Sequence, residues 1–188
     1  MARVRVLVVG CIHGSEPAGI AIARRLERLQ VPRGIALWIV PDLNPDGVAA
    51  GTRQNGRGVD LNRNFPWRWR DLEGIYDSGP AADSEPETRV AARLILRVRP
   101  TISIWYHQHL DVVDESGGDA TIERRYARLI RLPLRRLSRY PGSAVNWENQ
   151  AIPGSTAFVV ELPAGSLSPA ATAQHVRAVL ALAVHEQG

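Results

Sequence analysis

Short apolar runs alternate along this chain with longer stretches in which apolar residues recur at helical spacing. The apolar runs are rich in β-branched residues and occupy Val4 to Gly10, Ile35 to Val40, Ile102 to Tyr106 and Ala157 to Pro163. Because they are short and continuous, they predict buried parallel strands. The helical spacing covers 17–30, 84–98, 121–132 and 168–185. Strands that alternate with helices predict an α/β fold with a largely parallel sheet.

Two long segments between these elements lack a regular apolar period. Pro41 to Pro66 is polar and contains the turn-forming sequence Asn44-Pro45-Asp46-Gly47, and Pro133 to Pro153 is expected to be irregular. A long loop in a small domain is usually functional or disordered. Ser84 and Glu87 have the spacing of a capping box at a helix start. His175 and His185, on the last predicted helix, are expected to lie on the surface.

Composition limits the class of protein without naming a function. The 188 residues fit one domain, 1–188, and the content of 45% apolar and 22% charged residues is typical of a globular fold. The net charge is +4, but the 23 basic residues are all arginine and are spread through predicted helices. This distribution does not favour nucleic-acid binding. No apolar stretch approaches the ~20 residues of a membrane span.

The single cysteine, Cys11, cannot form an internal disulfide. It lies two residues before His13, which allows a Cys-His nucleophile pair, but the end of a buried strand favours an inert thiol. Met1 leads almost directly into the first strand, so we expect no signal peptide. As it stands, the sequence predicts a cytoplasmic protein, with a periplasmic or secreted location if further residues precede it.

Polar side chains stand at three predicted strand ends. His13 and Glu16 follow the first strand, His107 and His109 follow the third, and Glu161 closes the fourth. Carboxyl ends of parallel strands meet at one edge of a sheet, where ligands bind. Imidazole and carboxylate groups are ligands for zinc. The pattern therefore indicates a zinc site assembled from distant parts of the chain.

The order of these motifs resembles the zinc carboxypeptidases of the carboxypeptidase A type. The matching segments are His13-Gly14-Ser15-Glu16, Asn44 to Gly47, Arg53 to Phe65 with Asp60-Leu61-Asn62-Arg63-Asn64-Phe65, Ser84 to Glu87, His107, and Phe158 to Leu162. Within that family the chain is most similar to the murein peptide amidases of bacteria, which cut the amide between D-glutamate and diaminopimelate. The resemblance implies a three-layer zinc carboxypeptidase-like fold, with a mostly parallel or mixed central sheet and helices on both faces.

The resemblance also implies roles for particular residues. His13, Glu16 and His107 would hold one zinc ion per chain, and Glu161 would act as the general base. Arg53 would polarise the scissile carbonyl, and Asn62 with Arg63 would bind a substrate carboxylate. Tyr140 precedes Glu161 by about the distance of the tyrosine that covers the substrate in digestive members of the family. The segment Trp147 to Gln150 is an alternative source of the wall of the substrate pocket.

Several alternatives stay open at this point. Relatives often have proline where this chain has His109. Strand alternation puts His107 and His109 on the same side of the strand, so it does not decide which of them is the third ligand. The expected substrate is a peptide or muropeptide with a free carboxylate beside the scissile amide. A general carboxypeptidase, a deacylase of N-acyl amino acids and a catalytically silent peptide-binding protein are the alternatives. The oligomeric state is not indicated.

Overall fold

The computed structural model describes residues 3–188 and contains one six-stranded sheet flanked by helices. Its strands are β1 (Val4–Val9), β2 (Ile35–Val40), β3 (Ile102–Gln108), β4 (Val112–Asp114), β5 (Leu134–Arg135) and β6 (Thr156–Leu162). Its α-helices are α1 (Ala18–Leu26), α2 (Pro45–Ala50), α3 (Pro86–Val98), α4 (Ala120–Ile130), α5 (Ala144–Ala151) and α6 (Pro169–His185). Short 3-10 turns cover Leu61–Arg63 and Gly74–Tyr76.

The strand order in the sheet is β2-β1-β3-β6-β4-β5. Every neighbouring pair is parallel except β4 and β6, which are antiparallel. This mixed, mostly parallel sheet confirms the fold class predicted from the sequence. The three strands predicted to carry site residues, β1, β3 and β6, are adjacent, so their carboxyl ends lie side by side.

Each face of the sheet packs against its own apolar layer. On one face, Val6, Ile104 and Val160 pack with residues of α1, α4 and α6. On the other face, Leu7, Trp105 and other strand residues pack with α3, α5 and the loop that contains Leu61 and Phe65. The result is the expected three-layer arrangement. Strand alternation places His107 and Glu161 on the second face, beneath the long loop.

Four elements differ from the sequence-based expectation. The polar segment 41–66 includes α2, and the segment 133–153 includes β5 and α5. Strand β4 was not expected, because its three residues are too few to show a period. In α5, the polar residues Asn146, Glu148 and Asn149 hide the helical pattern, although Glu148 is fully buried.

Two local predictions were wrong. Helix α3 begins after Glu85 with Pro86 in its first turn, and no side chain caps it. Ser84 instead accepts a hydrogen bond from the Asn64 side chain at 2.8 Å, so it anchors the preceding loop. His175 is buried, and its Nδ1 lies 3.1 Å from the Tyr126 hydroxyl.

Within residues 3–188, no helix combines the length and apolar character needed to cross a bilayer.

Candidate metal centre and active site

The turn after β1 and the end of β3 bring three metal-binding side chains together. His13 Nδ1 and His107 Nδ1 are 3.2 Å apart, and Glu16 Oε2 lies 3.1 Å from each of them. Four-coordinate zinc with bonds of about 2.0–2.1 Å requires ligand atoms about 3.3 Å apart. The donor triangle is therefore close to one face of a zinc tetrahedron, and two imidazoles with one carboxylate suit zinc chemically.

The turn that carries His13 and Glu16 is held against the segment Asn44 to Gly47. The side chain of Asn44 accepts a hydrogen bond from Gly47 N and donates one to the Ile12 carbonyl at 3.1 Å. A Cβ atom at Gly14 would come within 1.9 Å of the Gly47 backbone, so only glycine permits this approach. Asn44 also donates to the Arg53 carbonyl at 3.3 Å, which ties the second loop to the same point.

Asp60 orients His13, a role that its local sequence does not reveal. It is fully buried, and its Oδ1 lies 3.1 Å from His13 Nε2. A carboxylate can only accept at this contact, so Nε2 carries the proton and Nδ1 keeps its lone pair for a metal. Burial would raise the pKa of Asp60, but His13 and Arg53 hold it below its ordinary value.

Glu16 is fixed on both of its oxygens. Oε1 accepts from Arg53 Nη1 at 3.2 Å, and Oε2 accepts from Gln108 N at 3.1 Å. Burial would raise the pKa of Glu16, but contacts with His107 and His13 hold it well below the ordinary value. Burial would lower the pKa of His13, but Asp60 and Glu16 outweigh burial and raise it. The cluster therefore presents anionic oxygen beside two imidazoles, as a cation site requires.

His109 lies apart from this cluster. It is exposed, while His107 is 4% exposed and contacts both His13 and Glu16. Strand β3 ends at Gln108, so the alternation that would put His107 and His109 on one side does not extend to His109. The structure thus brings His107 alone of the two into the donor triangle.

Glu161 lies beside His107, because β3 and β6 are in register at these two residues. Its Oε2 is buried and has no hydrogen-bond partner among residues 3–188. Burial raises the pKa of Glu161, His107 opposes that rise and Glu16 adds to it. A carboxylate with one unpaired oxygen, next to a metal-binding cluster, is suited to take up a proton.

A cavity of about 330 Å³ contains the donor triangle, Glu161 and every predicted substrate-binding residue. Arg63 packs between two aromatic rings, with its guanidinium carbon 5.4 Å from the Tyr76 centroid and 4.6 Å from that of Tyr140. Asn62 Oδ1 accepts from Ala144 N at 2.9 Å, so its amide group is fixed at the start of α5. Tyr76 was missed by the sequence analysis, because nothing in its local sequence distinguishes it from an exposed loop residue.

The segment that carries Tyr140 is held close to Arg63. Gly142 has a φ of +72°, and a Cβ atom there would lie 1.8 Å from the Arg63 carbonyl oxygen. No residue of the alternative wall, Trp147 to Gln150, lines the cavity, and α5 contributes Val145 and Asn146 instead. Trp147 is not among the lining residues, and its ring packs 5.5 Å from the centroid of Phe65.

Cys11 fits the inert interpretation. It is fully buried, and its thiol donates to the His13 carbonyl at 3.1 Å. Burial, with Asp42 and Glu16 nearby, raises the pKa of Cys11 to about 12. A neutral thiol of this kind is a poor nucleophile.

An α/β fold with two histidines and a glutamate at the carboxyl edge of its sheet defines a metallopeptidase type of site. The comparisons with known proteins agree with this class. The chain belongs to the zinc carboxypeptidase family, which matches residues 2–113. Zinc is the metal of that family, and the donor set described above fits it.

The most informative relatives are murein peptide amidases. The chain is 31% identical to murein peptide amidase A of Escherichia coli K12 over 157 residues, which cover 75% of this chain and 64% of that protein. It is 29% identical to the Vibrio campbellii protein of the same name, covering 97% of this chain and 78% of that one. The chain thus spans slightly less than two thirds of the Escherichia coli K12 relative.

Solved structures show the same fold. The crystal structure of murein-tripeptide amidase MpaA from Escherichia coli O157 matches with a TM-score of 0.78 and 26% identity, covering 100% of this chain and 83% of that one. Carboxypeptidase A from Helicoverpa armigera matches with a TM-score of 0.79 and 19% identity, covering 99% of this chain and 61% of that one. The resemblance inferred from the sequence motifs is confirmed.

Proposed function

We propose that the protein is a zinc-dependent hydrolase that cleaves an amide bond next to a free carboxylate, within a single catalytic domain, 1–188. Its proposed substrate bond is the γ-D-glutamyl-diaminopimelyl bond of murein peptides. The observation that carries the proposal is the donor triangle, which shares one cavity with Glu161 and Arg63. The similarity to murein peptide amidases supports this choice of bond.

His13 and His107 would hold zinc through Nδ1, and Glu16 would hold it through Oε2. When bound, zinc supplies Lewis acidity that polarises a carbonyl and makes water a stronger nucleophile near neutral pH. Three protein ligands are the number that catalytic zinc sites use, and all three of these residues line the cavity. Asp60 keeps the His13 ring in the tautomer that presents Nδ1.

Glu161 is the proposed general base. The Glu161 carboxylate, which lines the cavity, accepts a proton from the attacking water and then delivers that proton to the leaving amine. Both transfers need a carboxylate that is near the reacting atoms and is not engaged elsewhere. Glu161 meets this condition, whereas Glu16 has both oxygens occupied.

Arg53 is proposed to stabilise the negative charge that develops on the scissile carbonyl oxygen. Its Nε donates to Asp60 at 2.7 Å and its Nη1 donates to Glu16 at 3.2 Å. These two contacts fix the guanidinium and leave further N–H donors for the substrate. A donor that is already oriented stabilises such charge without reorganisation.

Arg63 and Asn62 are proposed to bind the substrate carboxylate. Arg63 Nη1 donates to the Asn62 carbonyl at 2.8 Å, which leaves the other guanidinium donors free for a bidentate contact. Burial lowers the pKa of Arg63, with Asp60 acting against that effect, and an arginine stays protonated at any physiological pH. Tyr140 is proposed to cover the substrate, because its exposed ring already lies over Arg63.

The test is product analysis with zinc-loaded protein. We expect mass spectrometry to show diaminopimelate released from L-Ala-γ-D-Glu-diaminopimelate much faster than from the α-linked isomer. Glu161→Gln should keep zinc and lower turnover by about 10²–10⁴-fold. The exposed Glu27 offers a matched control, and Glu27→Gln should have no effect.

The alternatives predict different products. Equal rates on the two linkages would identify a general carboxypeptidase. Preference for short N-acyl amino acids would identify a deacylase. A zinc-loaded protein that binds these compounds and hydrolyses none of them would be a binding protein.

A further inference from the structure

The cavity that contains Arg53 and Arg63 also contains a third guanidinium, that of Arg139. Arg139 Nη1 donates to Asp114 Oδ2 at 2.7 Å, and its Nη2 donates to the Glu115 carbonyl. Neither the donor triangle nor the proposed cleavage step uses this ion pair. The pair therefore requires a separate explanation.

The register of β4 and β6 places the ion pair relative to the general base. Val112 is opposite Glu161 and Val113 is opposite Val160, so in this antiparallel pair Asp114 faces Val159. Val159 precedes Glu161 by two residues on the same face of β6, a distance of about 7 Å along a strand. Asp114 and Arg139 both line the cavity, and the offset of two strand residues between Asp114 and Glu161 is one that an extended amino-acid side chain can span.

Asp114 is held so firmly that it acts as an anchor for Arg139. It is 3% exposed, and Oδ1 accepts from Leu137 N at 2.8 Å. Oδ2 accepts from Ser116 Oγ at 2.6 Å as well as from Arg139. A carboxylate has about four acceptor positions, so three contacts leave about one open.

Arg139 keeps most of its hydrogen-bonding capacity. A guanidinium has five N–H donors, and the contacts with Asp114 and Glu115 account for two of them, which leaves three. The side chain is 21% exposed and lines the cavity. An arginine fixed on one edge presents its other edge as a preorganised fork for a carboxylate.

We propose that Arg139 determines specificity by binding a second carboxylate, at the far end of the side chain of the residue that cleavage releases. This inference rests on the proposed function, in which Arg63 binds the carboxylate beside the scissile amide. Diaminopimelate carries such a second carboxylate, together with an ammonium group that suits the remaining acceptor position of Asp114. Lysine has a side chain of similar length that ends in an ammonium group alone.

Binding of the free products tests the inference without catalysis. Isothermal calorimetry on zinc-loaded Glu161→Gln protein should show meso-diaminopimelate binding at least about tenfold more tightly than L-lysine. Adding Arg139→Met should reduce this ratio to about one, because the variant loses the contact with the second carboxylate and keeps Asp114 for the ammonium group of either compound. Arg136→Met is the matched control, because Arg136 is exposed and does not line the cavity, and it should preserve the ratio.

Arg139→Lys is a second variant for the case in which Arg139→Met does not fold. A lysine can keep the ion pair with Asp114 but lacks the planar fork of the guanidinium. Zinc content and thermal unfolding identify which variants are folded, and we expect Arg139→Lys also to lose most of the preference. An unchanged ratio in a folded Arg139 variant, or no preference in the parent protein, overturns the inference. If the preference depends on Arg139 but γ-linked peptides are not cleaved, the proposed function fails and the role of Arg139 stands.

Discussion

Replacing Asp60 with asparagine should weaken zinc binding while the overall fold persists. Asp60 Oδ1 accepts from His13 Nε2 at 3.1 Å and from Asn62 N at 2.9 Å, and its Oδ2 accepts from Arg53 Nε at 2.7 Å. Asparagine retains one acceptor oxygen. If that oxygen faces His13, the new amide group must face the Arg53 N–H, and two donors then oppose each other.

The magnitude follows from the contacts that are lost. A hydrogen bond to a charged group is worth about 1.5–3 kcal/mol, so we expect the free energy of unfolding to fall by about that amount. Partners that orient a metal-binding histidine typically change metal affinity by about 10–100-fold. Asparagine also removes the negative charge that makes the His13 ring a stronger ligand. We therefore expect zinc to bind at least about tenfold more weakly.

Competition with a chromogenic chelator measures zinc affinity directly, and chemical denaturation of the zinc-free protein measures stability. Asp46→Asn makes the same chemical change at an exposed position of α2 and should alter neither quantity. If zinc affinity of a folded Asp60→Asn variant stays within about twofold of the wild type, Asp60 does not orient His13 and the reasoning fails.

Three further predictions follow from the same contacts. His107→Ala should abolish stoichiometric zinc binding and His109→Ala should not, by elemental analysis; the reverse would refute His107 as the third ligand. Arg63→Ala should keep zinc but erase the preference for a free carboxylate over its amidated twin in rate assays, and a retained preference would confine Arg63 to a structural role. Burial raises the pKa of Glu148 to about 7, so the folded state favours its neutral form. Ionising it costs stability as pH rises from about 4.5 to 7, and Glu148→Gln should be neutral at pH 4 and stabilise by up to about 3 kcal/mol at pH 8, by urea denaturation; equal effects at both pH values would contradict this.

The strands β1, β3 and β6 were predictable because each is buried on both faces, and the edge strand β2 was predictable from its apolar run although Trp38 is exposed. β2 spans the same residues as its apolar run, and β1, β3 and β6 differ from theirs by one or two residues at an end. A run of apolar residues says nothing about which strands are neighbours. The carboxyl ends of these strands were expected to meet at one edge of the sheet, but the adjacency of β1, β3 and β6 and the register of His107 with Glu161 needed the structure.

The metal-binding residues were visible because strand ends mark the place where parallel sheets bind ligands. His13, Glu16 and His107 stand at two such ends, and the structure brings them within hydrogen-bonding distance. Their role as ligands stays a prediction until zinc is measured. The choice between His107 and His109 depended on the residue at which β3 ends, which a repeating pattern does not reveal.

The residues that the sequence analysis missed share one physical property. Asp60, Asp114, Glu148 and His175 are polar and buried, and each is held by a partner 25 to 49 residues away. A polar residue in a local sequence pattern predicts exposure to solvent, because an unpaired polar group is costly to bury. That cost is offset only when a residue distant in sequence supplies a hydrogen-bond partner, and the local sequence contains no information about that residue. Buried polar pairs such as Asp60 with His13 and Asp114 with Arg139 are therefore where the structure adds most to an account of function.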